Sequence, residues 1–100
     1  MVTVEGHRVE FAFYRPHADT VRLVGDFHGR REEDLPMRRT PDGYWTAMLR
    51  LPTGVFRFRY CADGEWFADY AAFGIEYGPS GPDSVVRVAP TRVRAAPWRR

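Results

Sequence analysis

Trp66 and two arginines, Arg57 and Arg59, flank the dipeptide Asp63-Gly64, and their spacing from it decides whether they share a surface. Asp-Gly between alternating apolar runs is the strongest short-range signal for a two-residue type I′ hairpin, whose central residues both need positive φ. Such a turn pairs Ala62 with Glu65 and Cys61 with Trp66. Directly opposed residues share a face of the sheet, so Trp66 falls on the side of Arg57, Arg59 and Cys61, opposite Phe58, Tyr60 and Phe67. Arg59 and Trp66 become diagonal neighbours, roughly 7–8 Å apart at the backbone and within reach of long side chains. An indole offers a broad apolar plate and a guanidinium a fork of N–H donors. Together on an exposed face they suit a polyhydroxylated ring. The same residues admit a second arrangement, in which Arg57 or Arg59 packs on Trp66 as a cation–π pair and fills that surface without a ligand.

Other chemistries find no pattern. His7, His17 and His28 are scattered, Cys61 lies inside an apolar run, and neither a nucleophile elbow nor a phosphate loop is present. Asp26, His28, Glu32, Glu33 and Asp34 cluster in sequence, but their spacing fits no metal motif and reads as a solvated charged loop.

The elements that must position Trp66 and its neighbours are strands, because apolar residues recur with period two. Val9–Phe13 and Thr20–Val24 are the first two, and a charged loop leads to a short strand around Leu35–Arg38. Pro41-Asp42-Gly43 turns the chain into Tyr44–Leu51, with Trp45, Ala47, Leu49 and Leu51 on one face. Pro52-Thr53-Gly54 then leads to Val55–Cys61, whose Phe56, Phe58 and Tyr60 face the core. After the hairpin strand Glu65–Ala68, a Gly/Pro-rich loop over Gly74–Asp83 precedes a last strand, Ser84–Val88. Seven or so short strands predict an all-β sandwich. Phe11, Phe13, Phe27, Trp45, Phe56 and Phe58 read as core.

A chain of 100 residues, 44% apolar and 28% charged, has the composition of one ordinary globular domain. It buries about two thirds of its unfolded surface, enough for one core but not for a deep catalytic cleft as well. The expectation is therefore a non-enzymatic module over residues 1–90, followed by a flexible basic tail over 91–100 that includes Trp98. Cys61 stands alone, so no intrachain disulfide forms and a reducing cytoplasm is the expected location. No continuous apolar run suggests a leader or a membrane span. All 15 basic residues are Arg, and Lys, Asn and Gln are absent. A GC-rich coding sequence explains this, so no single Arg is read as a functional choice on its type alone. With a net charge of +2 and acidic residues interspersed through the body, nucleic acid is not an expected partner.

Four segments occur in a telling order: Phe11-Ala12-Phe13-Tyr14-Arg15-Pro16-His17-Ala18, Val21-Arg22-Leu23-Val24-Gly25-Asp26-Phe27, Asp42-Gly43-Tyr44-Trp45 with Leu51-Pro52-Thr53-Gly54, and Phe58-Arg59-Tyr60-Cys61-Ala62-Asp63-Gly64-Glu65-Trp66. The succession resembles the family-48 carbohydrate-binding modules. These early-set immunoglobulin-like domains occur at the N-termini of isoamylases and branching enzymes, and as the glycogen-binding domain of the AMP-activated protein kinase β subunit. The resemblance implies an early-set sandwich that holds an α-1,4-glucan polysaccharide or oligosaccharide without cofactor, metal or catalysis. A glucan-metabolising enzyme or a second copy is the protein partner it suggests. In the family two tryptophans stack on glucose, a lysine donates to hydroxyls, and a loop before the last strand adds polar contacts. Trp66 matches the second tryptophan, Arg59 the lysine, and Asp83 the asparagine of the last loop, while Arg57 lies on the same face. Arg30 stands where the first tryptophan is expected, a departure that forfeits an apolar plate. That loss raises a rival expectation, a structural or protein-interaction sandwich without sugar affinity.

Overall fold

The computed structural model describes residues 1–29, 31–70, 72–79 and 81–90. Period-two alternation sets the strands: in Arg8–Tyr14, Val9 and Phe11 are sealed while Arg8, Glu10 and Tyr14 meet solvent. In chain order the strands are β1 (Val2–Glu5), β2 (Arg8–Tyr14), β3 (Val21–Gly25), β4 (Glu33–Pro36), β5 (Arg38–Arg39), β6 (Tyr44–Arg50), β7 (Gly54–Ala62), β8 (Glu65–Phe67), β9 (Ile75–Gly78) and β10 (Gly81–Val88). They form two antiparallel sheets. The smaller runs β1-β2-β6-β5 and the larger β4-β3-β7-β10-β9, with β8 added beside β7. β7 is the hub: its first half pairs with β10, and its second half lies between β3 and β8.

The inner faces meet in an aromatic core, where Phe11 packs edge-on to Phe27 and Phe58, and Phe13 stacks on Tyr60 at 4.5 Å. The buried Trp45 satisfies its indole N–H on the Arg15 carbonyl at 2.9 Å. Tyr60 donates its hydroxyl to Asp69 at 2.8 Å. Burial first, then the Asp69 charge and hydrogen bond, pushes the Tyr60 phenol far above its ordinary range.

The sandwich is as expected, but among the described residues ten strands stand where about seven were expected. Met1–Glu10 contributes β1, which pairs with β2 from Val2↔Phe11 to Glu5↔Arg8 across Gly6. The single strand expected around Leu35–Arg38 is two, because Met37, buried between them, carries the chain from the larger sheet to the smaller. Most of the Gly74–Asp83 loop is a further antiparallel strand pair. Gly81, at φ 107°, opens β10, and β9 pairs back along Gly81–Ser84. The predicted tail, 91–100, with Trp98, lies outside the described residues.

Candidate functional site

The Asp63-Gly64 turn has φ of 49° and 86°, the double positive of a type I′ hairpin, and the register is Tyr60↔Phe67, Cys61↔Trp66, Ala62↔Glu65. Asp63 also pins the hairpin: its carboxylate accepts the backbone N–H of Asp19 at 3.0 Å and of Thr20 at 2.9 Å. Trp66 is thereby fixed on the outer face of the larger sheet with half its surface open (50%).

The floor of this face is apolar. Val24, Cys61 and Val85 are buried yet stand apart from the inter-sheet core. Their cross-strand partners are Arg59, Trp66 and Arg57 respectively, so each has a large amphipathic side chain beside it on the same face.

Arg59 organises the centre. Its guanidinium carbon lies 4.5 Å from the Trp66 ring centroid. Its Nε meets Asp83 Oδ1 at 3.1 Å, and its Nη2 donates to Glu32 Oε2 at 3.3 Å. Only 13% of its side chain is exposed. Glu32 thus takes a hydrogen bond from one of its five N–H donors and Asp83 adds an ion pair, which leaves the rest of the fork to other acceptors. Arg57, next along β7, donates through Nε to Glu76 at 2.6 Å and lies 3.7 Å from Asp26. The Glu76 hydrogen bond and charge, with lesser help from Asp26 and Asp83, hold the Arg57 guanidinium above its ordinary value against the small opposing effect of burial. The backbone N–H of Arg57 donates to the Asp26 carboxylate at 2.7 Å, and its carbonyl accepts the Asp26 N–H at 3.1 Å. A shallow recess of about 210 Å³ lies among Val24, Asp26, Glu32, Arg57, Arg59 and Asp83.

Of the residues expected at the site, Trp66, Arg59 and Asp83 come together. Arg57 adjoins them but faces Glu76 and Asp26, and Arg30 lies outside the described residues. Both arrangements foreseen for Trp66 are present in part, since a guanidinium packs on the indole while half of that residue stays open. Sequence reasoning misses Glu32, Glu76 and Asp26, which complete the ion-pair frame. Their only signal is opposite charge, and the loop and strand that carry them are distant from β7 in sequence. His28 is occupied by Glu33 at 2.7 Å, and among the described residues no three His, Cys, Asp or Glu side chains converge as a metal site.

Comparison with known proteins gives a consistent picture. The model of the family described as carbohydrate-binding module 48, isoamylase N-terminal domain, matches residues 2–98. A 1,4-α-glucan branching enzyme, GlgB 2, of Xanthomonas euvesicatoria pv. vesicatoria is 34% identical over 95 residues, covering 90% of this chain and 13% of its own. GlgB of Mycobacterium ulcerans is 39% identical over 79 residues, 73% of this chain and 11% of its own. Among solved structures, a pullulanase from Anoxybacillus sp. LM18-11 superposes with a TM-score of 0.71 at 22% identity, covering 86% of this chain and 13% of its own. A type I pullulanase from Bacillus subtilis str. 168, complexed with maltose, gives 0.71 at 17% identity over 97% of this chain and 14% of its own. The chain therefore spans little more than a tenth of the length of these relatives.

Proposed function

Because the chain belongs to the carbohydrate-binding module 48 family, we propose that it is a non-catalytic α-glucan-binding module, with Trp66 as the stacking platform and Arg59 as a donor to sugar hydroxyls. One observation carries this reading: a half-open indole on an exposed sheet face, oriented by a guanidinium 4.5 Å from its ring. A pyranose places its C–H groups on the surface of the indole that Arg59 leaves open. The unengaged N–H groups of Arg59 and the acceptor oxygens of Asp83 reach toward its hydroxyls. The ion pairs to Asp83 and Glu32 stop the guanidinium from turning away, so little side-chain freedom remains to be lost on binding. 1,4-α-Glucan branching enzymes are the sequence relatives at hand, and we assign this module the role of holding the polymer for an enzyme of that class.

The rival reading, a structural sandwich without sugar affinity, draws on the same pair, since Arg59 packed on Trp66 already shields one side of the ring.

Affinity electrophoresis through gels containing glycogen or amylose separates the two. Retardation of the native chain that drops sharply in Trp66→Ala, with unchanged circular dichroism, is the expected result. Undiminished retardation of Trp66→Ala overturns the assignment of Trp66, and an unretarded native chain leaves the structural reading standing.

A further inference from the structure

On the other outer face, at the end of the sandwich that carries the Asp63-Gly64 hairpin, a second aromatic surface stands open. Tyr14 of β2 and Tyr44 of β6 are directly opposed, on the side away from Phe13 and Trp45. Their rings lie 5.0 Å apart at 59°, and 57% of Tyr14 is exposed. Tyr14 forms one wall of a recess of about 470 Å³ completed by Arg15, Pro16, His17, Ala18 and Asp63. Tyr14 and Pro16 bring apolar ring surface to this lining, and Arg15, His17 and Asp63 are its polar members.

The recess is built on rigid backbone. The Arg15 N–H donates to Gly43 at 3.0 Å, the Arg15 carbonyl accepts both the Trp45 indole and the Ala18 N–H, and Arg39 donates to the Pro16 carbonyl at 2.8 Å. Asp63 holds the backbone of Asp19 and Thr20 just beyond. Gly43, at φ 90°, lets the turn press close: a Cβ there would come within 2.8 Å of Pro16 Cβ and 3.2 Å of the Tyr14 ring. An aromatic wall, fixed loops and mixed donors and acceptors at the mouth meet the requirements of a small polar-ring ligand with an apolar face.

We infer that Tyr14, with Pro16, His17 and Tyr44, forms a second contact for the same α-glucan, on the opposite face of the sandwich from Trp66 and around the hairpin tip. The identity of the sugar rests on the function proposed for Trp66, whereas the existence of the second contact does not. Between the two surfaces, Arg15 lies 4.4 Å over the Phe67 ring and 3.9 Å from Glu65. Two contacts on one polymer raise its apparent affinity through effective concentration, while a trisaccharide occupies one contact at a time.

The test is a ¹⁵N–¹H titration with maltotriose, paired with glycogen affinity electrophoresis, on the native chain, Trp66→Ala, Tyr14→Ala and Tyr14→Phe. Tyr14 is exposed, so its substitution leaves the core intact. Maltotriose is expected to shift two groups of backbone N–H signals, those within residues 14–18 (Pro16, which has none, excepted) with Tyr44, and those of residues 59–67. Trp66→Ala should lose only the second group, Tyr14→Ala only the first, and Tyr14→Phe neither. Each alanine variant should weaken glycogen affinity at least tenfold. Shifts confined to residues 59–67, with Tyr14→Ala native-like on glycogen, overturn the second contact and leave Trp66 in place. Shifts confined to residues 14–18 and Tyr44 uphold the second contact and remove the assignment of Trp66. No shifts in the native chain overturn both.

Discussion

The hairpin that presents Trp66 depends on a single side chain with two separable tasks, and substitution at Asp63 resolves them. Its backbone sits at φ 49°, where an ordinary residue is about 1–2 kcal/mol strained but Asp and Asn are accommodated. Its carboxylate accepts the N–H of Asp19 and of Thr20. Both bonds are solvent-exposed, so about 1 kcal/mol each is the appropriate scale rather than the larger figure for buried charged acceptors. Asp63→Asn keeps the backbone conformation and one carbonyl acceptor and should cost under about 1 kcal/mol. Asp63→Gly keeps the conformation, loses both bonds and should cost about 2 kcal/mol. Asp63→Ala loses both bonds and adds strain, for about 3–4 kcal/mol, which for a domain of this size lowers Tm by on the order of 20 °C. Urea and thermal unfolding followed by circular dichroism read the series directly. The order Asn, Gly, Ala carries the reasoning. If Ala and Asn agreed within about 0.5 kcal/mol, neither the pinning of the loop nor the backbone strain would be real.

Further outcomes follow from the same packing. Gly25→Ala would place a Cβ 2.5 Å from the Phe27 ring and 2.7 Å from the Arg57 carbonyl. An immovable backbone oxygen makes this overpacking, worth about 1–3 kcal/mol in urea unfolding. Tyr60→Phe removes the donor to the Asp69 carboxylate and should cost about 1–3 kcal/mol at pH 8. Because the folded phenol is held above its unfolded value near 10, the native chain loses about 1.4 kcal/mol per pH unit above 10 while Tyr60→Phe lacks this slope. Urea midpoints at pH 8, 10 and 11 should show the gap between the two closing, and a constant gap would contradict the assignment. Cys61, buried opposite Trp66, should react slowly with a thiol reagent in the native chain, faster in Trp66→Ala and fastest in urea; equal rates in the first two would mean the indole does not cover it.

The fold was legible because its signals are local. Alternation in β2, β6 and β7 and the Asp-Gly turn specify faces and register within a few residues, so the sharing of a face by Arg59 and Trp66 followed from the hairpin alone. Strand number was less legible. Met37 stands between Leu35-Pro36 and Arg38-Arg39, and nothing local says that the chain changes sheets there. Gly81 hid a strand pair because glycine serves loops and turns alike. The carboxylates that frame the site were hidden for another reason. Glu32 reaches Arg59 from a loop across β3, and Glu76 reaches Arg57 from a strand on the far side of β10, proximities that exist only once the larger sheet has assembled.

The guanidinium at position 59 shows why residue type matters even in a chain whose basic residues are all Arg. A lysine ammonium is a compact point charge without a flat face, able to approach a hydroxyl or a carboxylate but not to lie parallel to an indole while meeting carboxylates on two edges. Arg59 meets Asp83 and Glu32 while its guanidinium carbon lies over the Trp66 ring. The frame therefore fixes the indole more firmly than lysine would, and it also takes up one side of the ring. Orientation is gained and open platform is reduced, so under the proposed function a sugar on this face would depend on the uncovered side of Trp66 and on the donors Arg59 has left. The Tyr14 surface, where no guanidinium lies on the ring among the described contacts, carries the complementary property, a more open plate with fewer directed charges. A glucan long enough to reach both would draw orientation from one face and contact area from the other.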